Sequence, residues 1–388
     1  VDGWRDDLRA AAPAVLGSWI VARLLTALGW IVARGDLVGG GRRPAGLGDA
    51  LVSFDATFYR AIAQWGYPRC SPDDFACVEV RRFFPLYPAA GRALDVVTPL
   101  GAGTSLLVVA NLAALVAGFA VWRLMSGLGR GPDVASRAVW LLVLFPASSI
   151  LPFAYAEALG IGLTAVALGA VGRRRLVPAG AAGVLSGLLR PTGILLAVVP
   201  VVAAVQEWRG RAASATDAER PRPAWLGWAL VAGAPAAGVA AFHLFLGVAV
   251  DDAGAPLRVQ GKLRAGFREP FGRLLGAVWR TLTEDFRDAY NLAFALGFLA
   301  LVLLAGTRLR RVVPVPWTVM AGVGLVVALS ANNIDSLGRY GLAVYPAWLA
   351  ALTILTTWRR WAYPVVLVAS GLGYVWMTVV TMRGVLIP

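Results

Sequence analysis

The chain has 388 residues, of which 58% are apolar and 15% charged, with a mean hydropathy of +0.68. Soluble domains average roughly 45–50% apolar and 25% charged residues, so the excess excludes a purely soluble fold and calls for lipid as solvent over part of the surface. The 36 Lys and Arg against 22 Asp and Glu leave a formal charge of +14, but the arginines stand in short clusters between apolar runs. That is the pattern of positive-inside topology and argues against a nucleic-acid partner.

The first apolar run, Pro13 to Val32, is long enough to cross ~30 Å of hydrocarbon. It follows a polar start, Asp2 to Arg9, that does not read as a cleavable signal. Arg23 interrupts this run, which is costly in lipid and predicts a face turned to protein or water. Residues 34–100 form a long external loop, Gly- and Pro-rich at first and then mixed charged and aromatic. Within it, Leu47 to Trp65 reads as helix lying in the membrane interface. Cys70 and Cys77 fall in the same loop, where an oxidising compartment permits a disulfide.

Further spans are expected at Thr104 to Leu124, Ala138 to Leu151 and Phe153 to Val171, the last closed by Arg173-Arg174-Arg175. Val177 to Val205 is apolar but broken at Arg190-Pro191, since proline removes a backbone donor and disfavours helix before it. Such breaks are tolerated at membrane depth where they line a cavity. Trp225 to Val248 spans again, and a second external loop, 249–290, alternates Leu/Phe/Trp with Arg/Asp in an interfacial manner. Spans at Leu292 to Ala305, Pro316 to Leu329, Tyr340 to Thr356 and Tyr363 to Val380 complete the chain, with cytoplasmic turns at Arg308-Arg310-Arg311 and Arg359-Arg360. The reading is an all-α polytopic membrane protein, one integral domain over 1–388, with about eleven crossings and the N-terminus inside.

Asp55 is the first candidate for chemistry. A carboxylate among aromatics at a membrane surface suits a general base, and equally suits a helix N-cap. Glu157, early in an apolar span, is an intramembrane acid and so a functional candidate; it can orient a substrate or pair with an arginine. Arg190, at the helix break, and Arg339, at the start of a span, can meet a phosphate with paired donors, or serve as a partner of Glu157 and a snorkelling interface residue respectively. Arg81 and Arg82 can assist, or be solvated loop charges. His243 reads as a hydrogen-bonded core residue, and one histidine without a Cys cluster argues against a zinc site. Asp73-Asp74 and Asp251-Asp252 could hold a divalent ion as adjacent carboxylates, but solvated loop acids are commoner, and no metal and no cofactor are expected.

The segment Asp55-Ala56-Thr57-Phe58-Tyr59-Arg60-Ala61-Ile62-Ala63-Gln64-Trp65-Gly66-Tyr67, followed by Phe83-Phe84-Pro85-Leu86-Tyr87-Pro88, resembles the PIG-V family of mannosyltransferases, which holds the second mannosyltransferase of GPI-anchor synthesis and its bacterial relatives. Three further blocks agree in order: Phe145-Pro146-Ala147-Ser148-Ser149 with Tyr155-Ala156-Glu157-Ala158-Leu159, Ser186-Gly187-Leu188-Leu189-Arg190-Pro191-Thr192-Gly193, and Ser336-Leu337-Gly338-Arg339-Tyr340 with Pro346. Phe54 departs from the Trp usual before the aspartate. The resemblance implies a GT-C type glycosyltransferase that is inverting and metal-independent, with Asp55 as base. Its donor would be a polyprenyl-phosphate mannose and its acceptor a glycolipid, glycan or protein. Candidate substrate-binding residues are Arg60, Tyr67, Arg82, Phe84, Tyr87, Glu157, Arg190, Arg339 and Tyr340. The expected location is a bacterial plasma membrane, multi-pass, with the site on the extracytoplasmic side. The scarcity of lysine (Lys262 alone) beside abundant Ala, Gly and Val fits a GC-rich bacterial source. The alternative reading is a lipid-linked sugar flippase or secondary transporter without transferase activity.

Overall fold

Backbone polar groups in hydrocarbon have no water to pair with and must be satisfied within the chain. The computed structural model describes residues 2–35, 41–71, 73–214, 225–264, 269–283, 289–331 and 336–385, and among these there is helix and no strand. The helices are α1 (Asp2–Arg34), α2 (Leu47–Leu51), α3 (Asp55–Trp65), α4 (Phe75–Val78), α5 (Leu86–Val97), α6 (Ala102–Ser126), α7 (Pro132–Val143), α8 (Glu157–Gly172), α9 (Leu176–Leu189), α10 (Val198–Ser214), α11 (Trp225–Val250), α12 (Ala255–Arg264), α13 (Pro270–Thr283), α14 (Ala289–Gly306), α15 (Val315–Leu329), α16 (Leu337–Ala343), α17 (Tyr345–Leu355) and α18 (Ala362–Met382).

Among the described residues, six helices are long and apolar enough to cross a membrane: Arg5–Arg34, Ala102–Ser126, Pro191–Gly210, Trp225–Val250, Ala289–Gly306 and Ala362–Met382. The helices α8, α9, α15 and α17 are apolar but shorter. With the apolar composition, these helices describe a multi-pass membrane protein.

Three expected spans have different limits. Helix α7 ends at Val143 and the chain turns through a 3-10 segment, Pro146–Ile150, so no helix runs from Ala138 to Leu151. Phe145, held extended at ψ 139° before Pro146, marks that break and follows the steric bias against helix before proline. Helix α8 starts at Glu157 and not at Phe153. The expected span from Tyr340 divides into α16 and α17 at Val344, with Pro346 in the first turn of the second helix. The break at Arg190 is as expected: α9 stops, Arg190 is extended (φ −160°, ψ 152°), and a 3-10 turn, Pro191–Ala197, leads into α10.

Helices α9 and α11 approach closely. A Cβ on Gly187 would overlap the Pro235 carbonyl, and one on Gly238 would overlap the Val184 carbonyl. Small residues at such crossings are how apolar helices pack without a hydrophobic driving force. Arg23 is turned to protein: its Nε donates to Asn111 Oδ1 of α6 at 2.9 Å, and its guanidinium lies over the Trp19 ring at 4.2 Å.

Candidate functional site

Helix α3 begins at Asp55, and Phe54 before it has φ 54° and ψ −125°. A non-glycine residue there costs of order 1–3 kcal/mol and persists only when its surroundings fix it. Here the fixing comes from the helix itself, whose Ala56, Tyr59, Ile62 and Ala63 are buried. The backbone N–H of Asp55 also donates to Tyr155 Oη at 3.2 Å. Phe54 occupies the capping position, so the Asp55 carboxylate is not a cap. It meets arginines instead.

Arg339, from α16, donates from both Nη1 and Nη2 to Asp55 Oδ2, each at 3.1 Å. Its Nε donates to Glu157 Oε1 at 2.7 Å. Arg190 donates from Nη2 to the same oxygen. Arg82 Nη2 stands 3.6 Å from Asp55 Oδ1 and 3.1 Å from Glu79 Oε1. The result is a continuous ion-pair array in which Arg190, Arg339 and Arg82 alternate with Glu157, Asp55 and Glu79. The two carboxylates that share Arg339 differ in exposure: the Glu157 side chain is 1% exposed and that of Asp55 19%. Arg339 is therefore not a snorkelling residue. It bridges a deep carboxylate to a shallower one.

Each member is set by a local break in helix geometry. Arg190 sits on the extended residue between α9 and the 3-10 turn, closed by Gly193 N–H to Arg190 O at 3.0 Å. Ser336, three residues before Arg339, has φ 61°, and Asn291 Oδ1 of α14 accepts the Leu337 N–H at 3.2 Å. Glu157 opens α8, where a carboxylate complements the positive end of the helix dipole. A cavity of about 30 Å³ adjoins the array, lined by Glu157, Arg190 and Arg339 with Thr164, Ser186 and Thr192.

Aromatic rings form one wall. Phe58 and Phe83 stack at 4.8 Å, and the Arg82 guanidinium lies over Phe83 at 4.3 Å. Arg339 lies over the Tyr155 ring at 5.0 Å. Most of the block 83–88 faces inward, however. Phe84 packs on Phe242 of α11 at 4.4 Å, and the fully buried Tyr87 donates to Leu106 O at 2.9 Å. Tyr59, T-shaped against both Phe83 and Tyr87, is buried too, and burial raises its phenol pKa.

A second ionic knot holds the loop that carries Arg82. The neighbouring Arg81 is fully buried, not solvated: it donates to Asp252 Oδ2 at 2.7 Å and to Pro68 O at 2.9 Å. Arg258 of α12 donates to Asp252 Oδ1. Burial would raise the Asp252 carboxyl pKa, but hydrogen bonds from Arg258 and Arg81 outweigh it and hold it below the usual carboxylate value. Cys70 and Cys77 are joined in a disulfide beside this knot, and Cys70 O accepts from Arg81 at 3.3 Å. Asp74, read as a solvated acid, caps α4 by accepting from Cys77 N–H at 3.2 Å.

Of the nominated residues, the structure brings together Asp55, Arg82, Glu157, Arg190 and Arg339. It places the others elsewhere. Arg60 is exposed on α3 and runs beside Gly103 of α6. Tyr67 donates to Phe83 O at 2.7 Å and packs on Phe242 and Phe245, behind the site. Phe84 and Tyr87 are core residues, and Tyr340 packs into an apolar cluster with Leu274, Val278 and Leu337. Tyr155, Phe58, Phe83 and Glu79 also border the array; Phe83 opens the aromatic block expected to face substrate, and Tyr155 stands two residues before Glu157, an adjacency legible in the sequence. His243 Nδ1 meets Ala253 O at 2.6 Å, a structural contact. Among the described residues, no group of three or more His, Cys, Asp or Glu is arranged to hold a metal ion.

No family model matches the chain, and no curated protein matches it. Among solved structures it is similar to the oligosaccharyltransferase of Archaeoglobus fulgidus. Against that enzyme's complex with zinc and sulfate the identity is 16% and the TM-score 0.49, over 96% of this chain and 52% of that one. Against its complex with an inhibitory peptide and a dolichol-phosphate the identity is 15% and the TM-score 0.47, over 95% and 55%. The chain thus spans about half the length of the structures it matches. Both scores describe a likeness of helical outline, and the functional reading rests on the residues of the array.

Proposed function

We propose that the protein is an inverting glycosyltransferase of GT-C type that moves mannose from a polyprenyl-phosphate donor to an acceptor hydroxyl, with Asp55 as general base. The observation that carries the reading is the array itself: a partly exposed carboxylate sharing one guanidinium with a deep, fully buried carboxylate, beside two further arginines. An acceptor hydroxyl attacks the anomeric carbon, the bond from that carbon to the phosphate oxygen breaks, and the hydroxyl proton passes to Asp55. The phosphate departs with the bonding electrons, so the site must supply positive charge as it leaves.

The charge balance of the array suits that sequence of events. Three arginines match three carboxylates. Protonation of Asp55 leaves one positive charge in excess, at the moment when the phosphate oxygen gains negative charge. Arg339 connects the two changes. Its Nη1 and Nη2 occupy Asp55 Oδ2, and a phosphate is a competing acceptor of the same fork geometry. Donor binding would draw those N–H groups to phosphate and free the carboxylate lone pairs to take a proton. Glu157 acts through Arg339 and Arg190 as a positioning residue, and its carboxylate keeps both guanidinium groups aimed.

The test is Asp55→Asn in membranes supplied with radiolabelled polyprenyl-phosphate mannose and a lipid extract as acceptor source. The expected result is loss of label transfer with donor still bound. Transfer near the unsubstituted rate would remove Asp55 as base. Donor binding with no release of mannose from the lipid, in the unsubstituted protein, would favour a flippase.

A further inference from the structure

Helix α13, Pro270–Thr283, carries four large apolar side chains that the fold does not cover: Phe271 is 78% exposed, Leu275 70%, Trp279 65% and Leu282 76%. Spacings of four, four and three residues put them within one narrow face of a helix with 3.6 residues per turn. The opposite face is protein-bound: Leu274, Ala277 and Val278 pack with Leu292, Leu329, Leu337 and Tyr340. Arg273, which is buried, and Arg280, which is half-buried, lie together on the side of the helix away from the stripe. A stripe of this size is not left to water in a soluble protein.

We propose that this face of α13 is seated in the lipid layer, at the boundary of hydrocarbon and headgroups on the side of the Asp55 array, and that it braces the segment carrying Arg339. Three observations choose lipid as the occupant. Fourteen residues make a helix roughly 21 Å long, too short to cross ~30 Å of hydrocarbon, so it runs along the membrane. It packs on the end of α14, a full-length apolar span whose Leu296 and Leu303 are exposed, so the stripe continues that lipid-facing belt. Its exposed Trp279 is of the residue type that holds a helix at the headgroup level. The brace follows from the inner face, because Leu337 and Tyr340 flank Arg339 on α16. The inference concerns placement, and it stands whether or not the array transfers sugar.

The native cysteines are paired with each other, so a single introduced cysteine takes a nitroxide label selectively. Leu275→Cys, Trp279→Cys and, as a reference on the lipid-facing belt, Leu303→Cys would be labelled in nanodiscs of phosphatidylcholine and phosphatidylglycerol. Power saturation is then read with oxygen, which enters lipid, and with a nickel chelate, which stays in water. The expected result is a preference for oxygen at all three positions, strongest at Leu303. Preference for the chelate at Leu275 and Trp279 would overturn the proposal. So would dipolar broadening between labels on two copies, which would make the face a dimer contact. Hydrogen exchange reads the brace: Leu275→Asn with Trp279→Asn is expected to speed amide exchange over Leu337–Ala343, and unchanged exchange there would refute it.

Discussion

Glu157→Gln is the most informative single change, because it alters charge and little else. In the structure Glu157 Oε1 accepts from Arg339 Nε at 2.7 Å and from Arg190 Nη2. Glutamine keeps an oxygen at that place but loses the charge. The guanidinium donors stay charged, so both bonds remain within the roughly 1.5–3 kcal/mol range of hydrogen bonds involving a charged group, and a fall of about 1–1.5 kcal/mol each across that range costs about 2–3 kcal/mol together. Full loss of a partner in a buried ion pair costs about 3–5 kcal/mol, which bounds the effect from above. Both arginines are largely shielded, at 20% and 14% exposed, so solvent replaces little of the lost charge. If the lost interaction serves the transition state, 2–3 kcal/mol corresponds to a roughly 30- to 150-fold fall in kcat/KM. The assay is label transfer in proteoliposomes, with kcat and donor KM measured separately and folding checked by the intact Cys70–Cys77 bridge. Arg339 released from Glu157 is expected to remain on Asp55, so kcat should fall more than donor affinity, and Glu157→Asp should recover part of the loss. Unsubstituted kinetics in the Gln variant would refute the positioning role.

Arg339→Lys keeps a charge but loses the fork that serves Asp55 and Glu157 together, and is expected to lose at least tenfold in transfer while still inserting in membranes, measured against the same donor. Gly193→Ala puts a Cβ onto the Ser186 carbonyl and must displace the turn that aims Arg190; overpacking of this kind costs about 1–3 kcal/mol, and reduced thermal stability with weakened donor binding would be observed. Asp252→Asn removes the acceptor of Arg81 and Arg258 and is expected to loosen the loop 66–82, read as faster proteolysis there. In the unsubstituted protein the Asp252 carboxyl pKa is lowered on folding, so its stabilisation is present above the ordinary Asp value of about 3.9 and lost as pH falls through the lowered one. Proteolysis of that loop should therefore be flat from neutral pH to about pH 5, and an increase already at pH 6 would contradict the ion pairing.

Much of the architecture follows from local rules. The long apolar helices are evident from continuous runs of hydrophobic residues, because a single segment in lipid can satisfy its own backbone only as a helix. The break at Arg190-Pro191 is set by proline's missing donor and its clash with the preceding residue. The Phe145-Pro146 pair has the same chemistry and stops α7, yet a continuous hydropathy run conceals it, and the expected span to Leu151 does not form.

What residue order determined by itself is a helical membrane protein with acids and arginines at helix ends, and a short list of candidates among these for the chemistry. What only tertiary structure decided is which charges meet. Glu157 lies 33 residues from Arg190 and 182 from Arg339, and Asp55 lies 284 from Arg339. The packing of α3, α8, α9 and α16 brings them into one array. The aromatic block after Arg82 and the neighbouring arginine show the same limit. Phe84 and Tyr87 read as substrate-binding residues in one dimension and are core residues in three, while Arg81 reads as a helper or a solvated charge and is buried. A side chain's composition states what it can bind; only the direction it takes from its helix, and what that helix packs against, settles what it touches.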